Sequence, residues 1–235
     1  MALPRLNDVP MYTMMVPSTG KQVKYRPFLV KEQKVLMLAG ESQDKKQMLN
    51  SMLDTIESCI ADNINVKNLP TFDIDYLFTQ IRGKSVGENA TLAANCSKCE
   101  NEIKFTVNLN ELNVPEIKRN TSTIKLTSDI NVMMRYPSYS LIMKNDIDDE
   151  MSTEFTMNFM LSCIESIQTA EENIIMQDET QEEQIRFLES LNTEQFEKLA
   201  DFIRDMPKVS VDVKLKCESC EHEESKKVEG MESFF

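Results

Sequence analysis

Two cysteine motifs that lie far apart in the chain constrain its fold more than any other feature. One is Cys96-Ser-Lys-Cys99 and the other is Cys217-Glu-Ser-Cys220. Strand-forming residues precede the first motif at 90–94, follow it at 103–109, and precede the second motif at 210–215. We therefore expect each motif to form the tip of a β-hairpin.

Two such tips that meet would offer four sulfur ligands to one metal ion. Zn²⁺ accepts four thiolates in a tetrahedron, with bonds of about 2.3 Å, and this is the arrangement of a zinc ribbon. The motif spacing far exceeds the usual interval of roughly 15 to 20 residues, so the site has to be long-range. The prediction is a structural Zn²⁺ site that joins the middle of the chain to its end, with four ligands: Cys96, Cys99, Cys217 and Cys220.

Two other interpretations of the cysteine pairs stay open at this point. The pairs could be ordinary reduced thiols, or one pair could serve in redox chemistry of the thioredoxin type or form a disulfide. A redox pair opens a helix within a βαβ unit, whereas strands are predicted beside both motifs here. The pattern favours the metal.

The remaining cysteines and the histidine add no catalytic set. Cys59 and Cys163 fall on the apolar faces of predicted helices, so we interpret both as core residues. His222 follows Cys220 by two positions and is predicted to be an exposed strand residue, because four cysteines already complete a tetrahedron. Such a closed site leaves no position for activating water, so we predict no enzyme, no catalytic residues and no small-molecule substrate.

The charge of the chain narrows the class of partner. A formal net charge of −13 disfavours nucleic acid or an anionic membrane as the main partner. No leader-like segment and no run of about 18 apolar residues is apparent, so we expect a soluble intracellular protein whose thiols stay reduced. Five basic residues cluster early and form either a docking patch for an acidic partner or a solvated face: Lys21, Lys24, Arg26, Lys31 and Lys34.

Hydrophobic periodicity predicts an α+β protein: a helical body with an N-terminal β-hairpin arm and a zinc-ribbon-like module made by two distant hairpins. A continuous apolar stripe, Phe155, Phe159, Met160, Cys163, Ile164 and Ile167, predicts one long helix. The acidic stretch at 171–183 is predicted to include an exposed loop. The segments are the arm and hairpin (1–28), a helical region (29–86), the first ribbon hairpin with further strands (87–136), a second helical region (137–208) and the second ribbon hairpin (209–235).

One short motif imitates a nucleotide site. Gly83-Lys84-Ser85 resembles the end of a phosphate-binding loop. The full motif needs a glycine five residues before Gly83, where this chain has Phe78, and it follows a strand, whereas a helix is predicted here. We therefore predict no nucleotide binding.

Several stretches resemble one family: the opening Met-Ala-Leu-Pro-Arg-Leu-Asn, the segment from Val16 to Glu32, the block from Phe72 to Glu88, and the two cysteine motifs. Together they are similar to the baseplate hub proteins of T4-type contractile-tailed bacteriophages. The resemblance implies a non-enzymatic hub component or hub assembly factor whose partners are other hub or tail proteins. It also implies a location in the host cytoplasm during assembly and, for a hub component, in the tail baseplate of the virion.

A second class of function is a zinc-ribbon protein associated with nucleic acid or transcription. Its hairpins should carry basic and aromatic residues, but glutamates crowd the second motif instead: Glu218, Glu221, Glu223 and Glu224. For the phage interpretation, the basic and proline-punctuated arm at 1–34 is the predicted contact surface. The alternative is that this arm packs on its own helices.

Overall fold

The structure, a computed structural model, describes residues 9–42, 44–113, 121–142 and 152–229. In chain order its elements are β1 (Tyr12–Met15), β2 (Gln22–Tyr25), α1 (Val30–Glu41), α2 (Lys45–Cys59), α3 (Thr71–Val86), β3 (Asn89–Asn95), β4 (Glu102–Asn108), β5 (Thr121–Lys125), β6 (Asn131–Arg135), α4 (Tyr139–Ile142), α5 (Thr153–Cys163), β7 (Ile164–Gln168), β8 (Asn173–Ile175), α6 (Gln181–Glu189), α7 (Thr193–Arg204), β9 (Ser210–Lys216) and β10 (Glu223–Glu229). The predicted α+β class is confirmed.

The chain forms two compact units. The first contains the described parts of Met1–Val66, Phe72–Glu116 and Pro207–Phe235, and the second contains those of Lys67–Thr71 and Ile117–Met206. The last segment of the chain thus returns to the unit that the first segments build. The second unit is an insertion between two parts of the first.

The first two strands form the predicted hairpin. β1 and β2 pair antiparallel, with Tyr12 opposite Tyr25, and Gly20 takes a left-handed φ of 65° in the turn. Four residues of the hairpin are buried: Met14, Val16, Val23 and Tyr25. The hairpin therefore packs within the first unit, as the alternative interpretation of the arm expected. Residues 1–8 lie outside the described residues.

Two long helices supply much of the buried apolar surface of the first unit. α2 buries an apolar face that includes Met52, Leu53 and Ile56, and its N-cap residue Asp44 accepts a hydrogen bond from the Gln47 amide at 2.9 Å. α3 runs to Val86, so Gly83-Lys84-Ser85 is helical and makes no phosphate loop. In the described part of the chain, no helix combines the length and the apolar character needed to cross a bilayer.

A buried carboxylate fastens the first hairpin to α3. Asp73, in the first turn of α3, is fully buried and accepts hydrogen bonds from the amide of Ser18, at 2.9 Å, and from the Ser18 hydroxyl. Burial raises the pKa of Asp73 from 3.8 to about 6, although the two hydrogen bonds oppose this shift. The carboxylate therefore fixes the hairpin turn to α3, although its burial carries a desolvation cost.

The second unit is a four-stranded antiparallel sheet in the order β5-β6-β7-β8, accompanied by α4 to α7. Its core includes Val132 and Met134 of the sheet with Leu161, Leu188 and Leu199 of the helices. α7 begins with a capping box: the Asn192 side chain accepts a hydrogen bond from the Gln195 amide at 2.9 Å, and the Gln195 side chain accepts one from the Asn192 amide at 3.0 Å.

The long helix predicted through Ile167 is wrong in its second part. α5 ends at Cys163, and the chain continues directly as β7, whose Ile167 lies opposite Val132 of β6. Ile164 and Ile167 fit a helical stripe by spacing, but β-branched residues also suit a strand, and pairing with β6 decides between the two. The loop predicted at 171–183 likewise contains β8, whose Ile174 lies opposite Ile167.

The buried Asp73 predicts a specific pH dependence of stability. Its folded pKa of about 6 exceeds the unfolded value, so its contribution to the free energy of unfolding is largest below pH 4 and declines as the pH rises to about 6. Asp73→Asn should remove this decline, which is on the order of 2–3 kcal/mol, while Asn still accepts the Ser18 amide. Denaturant unfolding of both proteins from pH 4 to 7 measures the difference.

The matched control is Glu57→Gln, which removes an exposed carboxylate from α2. It should leave the wild-type pH profile unchanged. Parallel profiles for wild type and Asp73→Asn across this pH range would contradict the prediction.

Candidate metal centre

Two hairpins of the same construction carry the cysteine motifs. β3 pairs with β4 so that Asn95 lies opposite Glu102, and β9 pairs with β10 so that Lys216 lies opposite Glu223. Each pair of strands has seven residues per strand and a turn that begins with a cysteine. The hairpins predicted at both motifs are present.

The two turns have the same pattern of internal backbone hydrogen bonds. In the first, the Cys96 amide donates to the Asn101 carbonyl and the Glu100 amide donates to the Cys96 carbonyl, both at 2.9 Å. In the second, the amides of Cys217 and Glu221 make the equivalent bonds, again at 2.9 Å. The glutamate after each motif takes a left-handed φ, 59° at Glu100 and 55° at Glu221, which turns the chain back into the second strand.

The four cysteine sulfurs of these turns converge. All four Sγ atoms lie within 4.8 Å of one another; Cys96 and Cys220 are 3.7 Å apart, and Cys99 and Cys217 are 3.5 Å apart. Cys96 and Cys217 are buried, Cys220 is half-buried and Cys99 is exposed. The cluster therefore sits at the surface of the first unit with one side open to solvent.

Apolar contacts hold the two hairpins together at both ends. Near the sulfurs, Ile103 and Leu215 pack with Cys96 and Cys217. Farther from the tips, a second cluster joins β3 and β4 to β9 and β10 through Ala90, Val107, Leu109, Val211 and Val228. Both clusters are small, so the sulfur cluster occupies a module with little apolar core of its own.

Polar contacts between the hairpins were not predicted from the sequence. The amides of Asn113 and Ser210 each donate to the other's carbonyl, at 2.8 and 3.1 Å, at the first residue of the second hairpin. At the opposite end, the Ser97 amide donates to the Glu224 carboxylate at 3.3 Å. Neither pair leaves a signal in the sequence, because both depend on register between distant strands.

The electrostatics of the cluster favour a cation at its centre. The amides of Cys220 and Ser219 point at Cys217 and lower the pKa of its thiol to about 7. The Asn101 amide acts in the same direction on Cys99, but hydrogen bonds with the neighbouring thiols raise the pKa of Cys99 to about 12. One sulfur can ionise readily, whereas several thiolates this close repel one another unless a cation neutralises them.

The other cysteines and the histidine lie apart from this cluster. Cys59 and Cys163 are buried core residues, as predicted, and burial raises their pKa to about 11 and about 12, respectively. His222 is outside the cluster; it is half-buried in the turn, where its carbonyl accepts the Cys217 amide, and β10 begins after it. The predicted strand position of His222 is therefore wrong by one residue, and its side chain is less exposed than expected.

Comparison with known proteins finds one family that matches almost the whole chain. The family described as T4 bacteriophage base plate protein matches residues 9–235. This chain belongs to that family. The match covers both hairpins with their four cysteines. It confirms the part of the sequence resemblance that indicates a phage baseplate protein. No curated protein and no solved structure matches the chain.

The burial of the cysteines in this baseplate protein predicts two classes of thiol. Cys59 and Cys163 should resist alkylation in the folded protein, because burial keeps them protonated and shielded. With any bound metal removed under reducing conditions, the motif cysteines should react first, because Cys99 and Cys220 are accessible and the pKa of the adjoining Cys217 is lowered to about 7. Mass spectrometry after a short iodoacetamide pulse identifies the modified residues, and rapid labelling of Cys163 in native protein would contradict the packing described here.

Proposed function

We propose that this protein is a non-enzymatic component or assembly factor of the phage baseplate hub, that it acts through protein–protein contacts, and that a structural Zn²⁺ holds its two cysteine hairpins together. The family match over residues 9–235 supports the baseplate role, because it takes in nearly the whole chain. Membership of a structural family also favours a non-enzymatic role. The hub assignment rests on the finer resemblance of the N-terminal segments and the block from Phe72 to Glu88.

The sulfur geometry fits a tetrahedral metal site. Four thiolates at about 2.3 Å from one ion lie about 3.8 Å from one another. The observed separations of 3.5 and 3.7 Å are close to this value and are well beyond the roughly 2.05 Å of a disulfide bond. Four soft sulfur donors with no carboxylate or imidazole among them favour Zn²⁺ over the hard cations.

The proposed role of the metal is structural. Bound Zn²⁺ would supply four strong bonds and neutralise the thiolates, while the residues of the turns aim the sulfurs and the apolar clusters align the strands. Four cysteines complete the coordination shell, so no position is left for a substrate or for activating water. The site then cross-links residues that are 118 and 124 positions apart.

The nucleic-acid alternative gains no support. The family is a tail-structure family, and the face of the second hairpin near its tip is acidic, with Glu224 held beside the Ser97 amide. A chain with a net charge of −13 would also be repelled by phosphate backbones. Other tail proteins in the host cytoplasm, and then in the baseplate, are the proposed partners.

Protein purified without chelators should contain one Zn²⁺ per chain. Cys217→Ser should lose most of this metal and unfold at a lower temperature, because it removes a buried ligand from a cross-link worth on the order of a few kcal/mol. Elemental analysis and thermal unfolding measure the two effects. The far-ultraviolet circular dichroism of the helices should persist at moderate temperature, since α2 and α3 have a core away from the metal.

The matched control is Cys163→Ala, which removes a buried thiol from the second unit. It should keep one equivalent of zinc although it also leaves a cavity. A zinc content below about half an equivalent per chain in the wild-type protein would contradict the zinc assignment.

The hub role predicts a defect in infection. Phage that lack this protein should build no normal hub and form few plaques, and wild-type protein supplied from a plasmid should restore both. Cys217→Ser should restore them poorly at elevated temperature, because the two hairpins separate more readily. Normal baseplates in electron micrographs of the deficient infection would refute the hub role.

A further inference from the structure

The first helix of the chain, α1, buries a charged residue and exposes most of its large apolar residues. α1 buries Glu32 and Ala39, whereas most of its larger apolar residues are exposed: Val30 is 80% exposed, Met37 is 60% exposed and Leu38 is 53% exposed. A surface helix normally places such residues against the core and its charges in water. The outward face of α1 therefore has the composition of a covered surface.

The buried side of α1 shows why this inversion is stable. Glu32 accepts a hydrogen bond from the Arg26 guanidinium at 2.9 Å, and its other oxygen accepts the Leu29 amide at 2.7 Å. Burial raises the pKa of Glu32, but these hydrogen bonds outweigh it and lower the pKa below its usual value. Arg26 also donates to the Ser58 carbonyl at 2.9 Å, so an ion pair ties α1 to the end of α2.

The exposed apolar surface continues beyond α1. The Phe28 amide donates to the Ser85 hydroxyl at 2.9 Å, which brings the start of α1 to the end of α3. Leu29 and Val86, on either side of this contact, are 39% and 59% exposed. We call the exposed side chains of Leu29, Val30, Met37, Leu38 and Val86 the α1 patch. Exposed large apolar residues gathered on one helix and beside its start are typical of a protein-binding surface.

Positive charges border this patch. Lys34 is exposed, and among the described residues it makes no ion pair. Lys31 touches the buried Glu32 at 3.3 Å, but its own side chain is 71% exposed. Arg26, by contrast, is paired with Glu32 within the protein, whereas both lysines of α1 remain available to a partner.

We propose that the α1 patch docks into an apolar groove bordered by carboxylates on a different protein of the baseplate. A second copy of this chain fits less well, because a two-fold contact would bring Lys31 and Lys34 of both copies together, and each chain carries a net charge of −13. An acidic border on the partner would instead pair with both lysines while the groove covers Val30 and Met37. This inference rests on the proposed function.

A photo-crosslinking experiment tests the docking surface in infected cells. A benzophenone amino acid replaces Met37, and the same probe at Glu189, an exposed position of α6, is the matched control. Baseplates are purified after irradiation, and the joined peptides are identified by mass spectrometry. The Met37 probe should join a peptide of another baseplate protein beside aspartate or glutamate, and the Glu189 probe should not join that peptide.

Charge reversal tests the chemistry of the border. Lys31→Glu with Lys34→Glu should lower the crosslink yield about tenfold, because carboxylates would then face carboxylates. The control, Lys46→Glu with Lys125→Glu, changes the net charge equally at exposed lysines outside the patch and should leave the yield unchanged.

The proposal would be overturned by a crosslink between two copies of this chain or by a crosslink from Met37 to residues 1–8 of the same chain. A crosslink yield that stays the same after charge reversal of Lys31 and Lys34 would also overturn it. Sedimentation of the unmodified protein separates the two levels of inference. If it accompanies no baseplate intermediate, the proposed function fails and the docking surface with it. If it does accompany one while Met37 stays uncrosslinked, only the docking surface is wrong.

Discussion

The convergence of four cysteine sulfurs at the tips of two hairpins is the constraint on which the organisation of this chain depends. It joins segments that are 118 and 124 residues apart and brings the end of the chain back to the unit in which the chain starts. The reciprocal hydrogen bonds of Asn113 and Ser210 lie where the described chain leaves that unit and where it returns. A whole second unit can therefore be inserted into the chain while the two parts of the first unit stay in contact.

The chemistry of the module explains why a metal suits it. The apolar clusters between the hairpins are small, and β10 is rich in charged residues, so apolar burial alone gives this junction little stability. The proposed metal cross-link would close a long loop, limit the unfolded chain and so compensate for the small core. The helices α2 and α3 bury their own apolar residues, which is why the proposed metal matters to the junction more than to these helices.

Local patterns made much of this structure predictable. The cysteine motifs with flanking strands, the stripe of α2 and the cap of α7 each encode their structure within a few residues. The strand β7 was mistaken for helix because Ile164 and Ile167 fit both periods and pairing with β6 decides the outcome. The exposed apolar face of α1 was also not predicted from the sequence, because the burial of Glu32 on the opposite face depends on Arg26 and on the end of α2. Such features arise from tertiary contacts that no local pattern records.

X-ray absorption at the zinc edge tests the central claim most directly, since it reports the ligands of the bound metal in the intact protein. The account predicts a single shell of four sulfur atoms at about 2.3 Å with no nitrogen or oxygen ligand. In Cys217→Ser, which should lose most of the metal, any zinc that remains should have fewer than four sulfur ligands. A shell dominated by nitrogen or oxygen at about 2.0–2.1 Å would contradict the account, because the cysteine cluster would then not hold the metal.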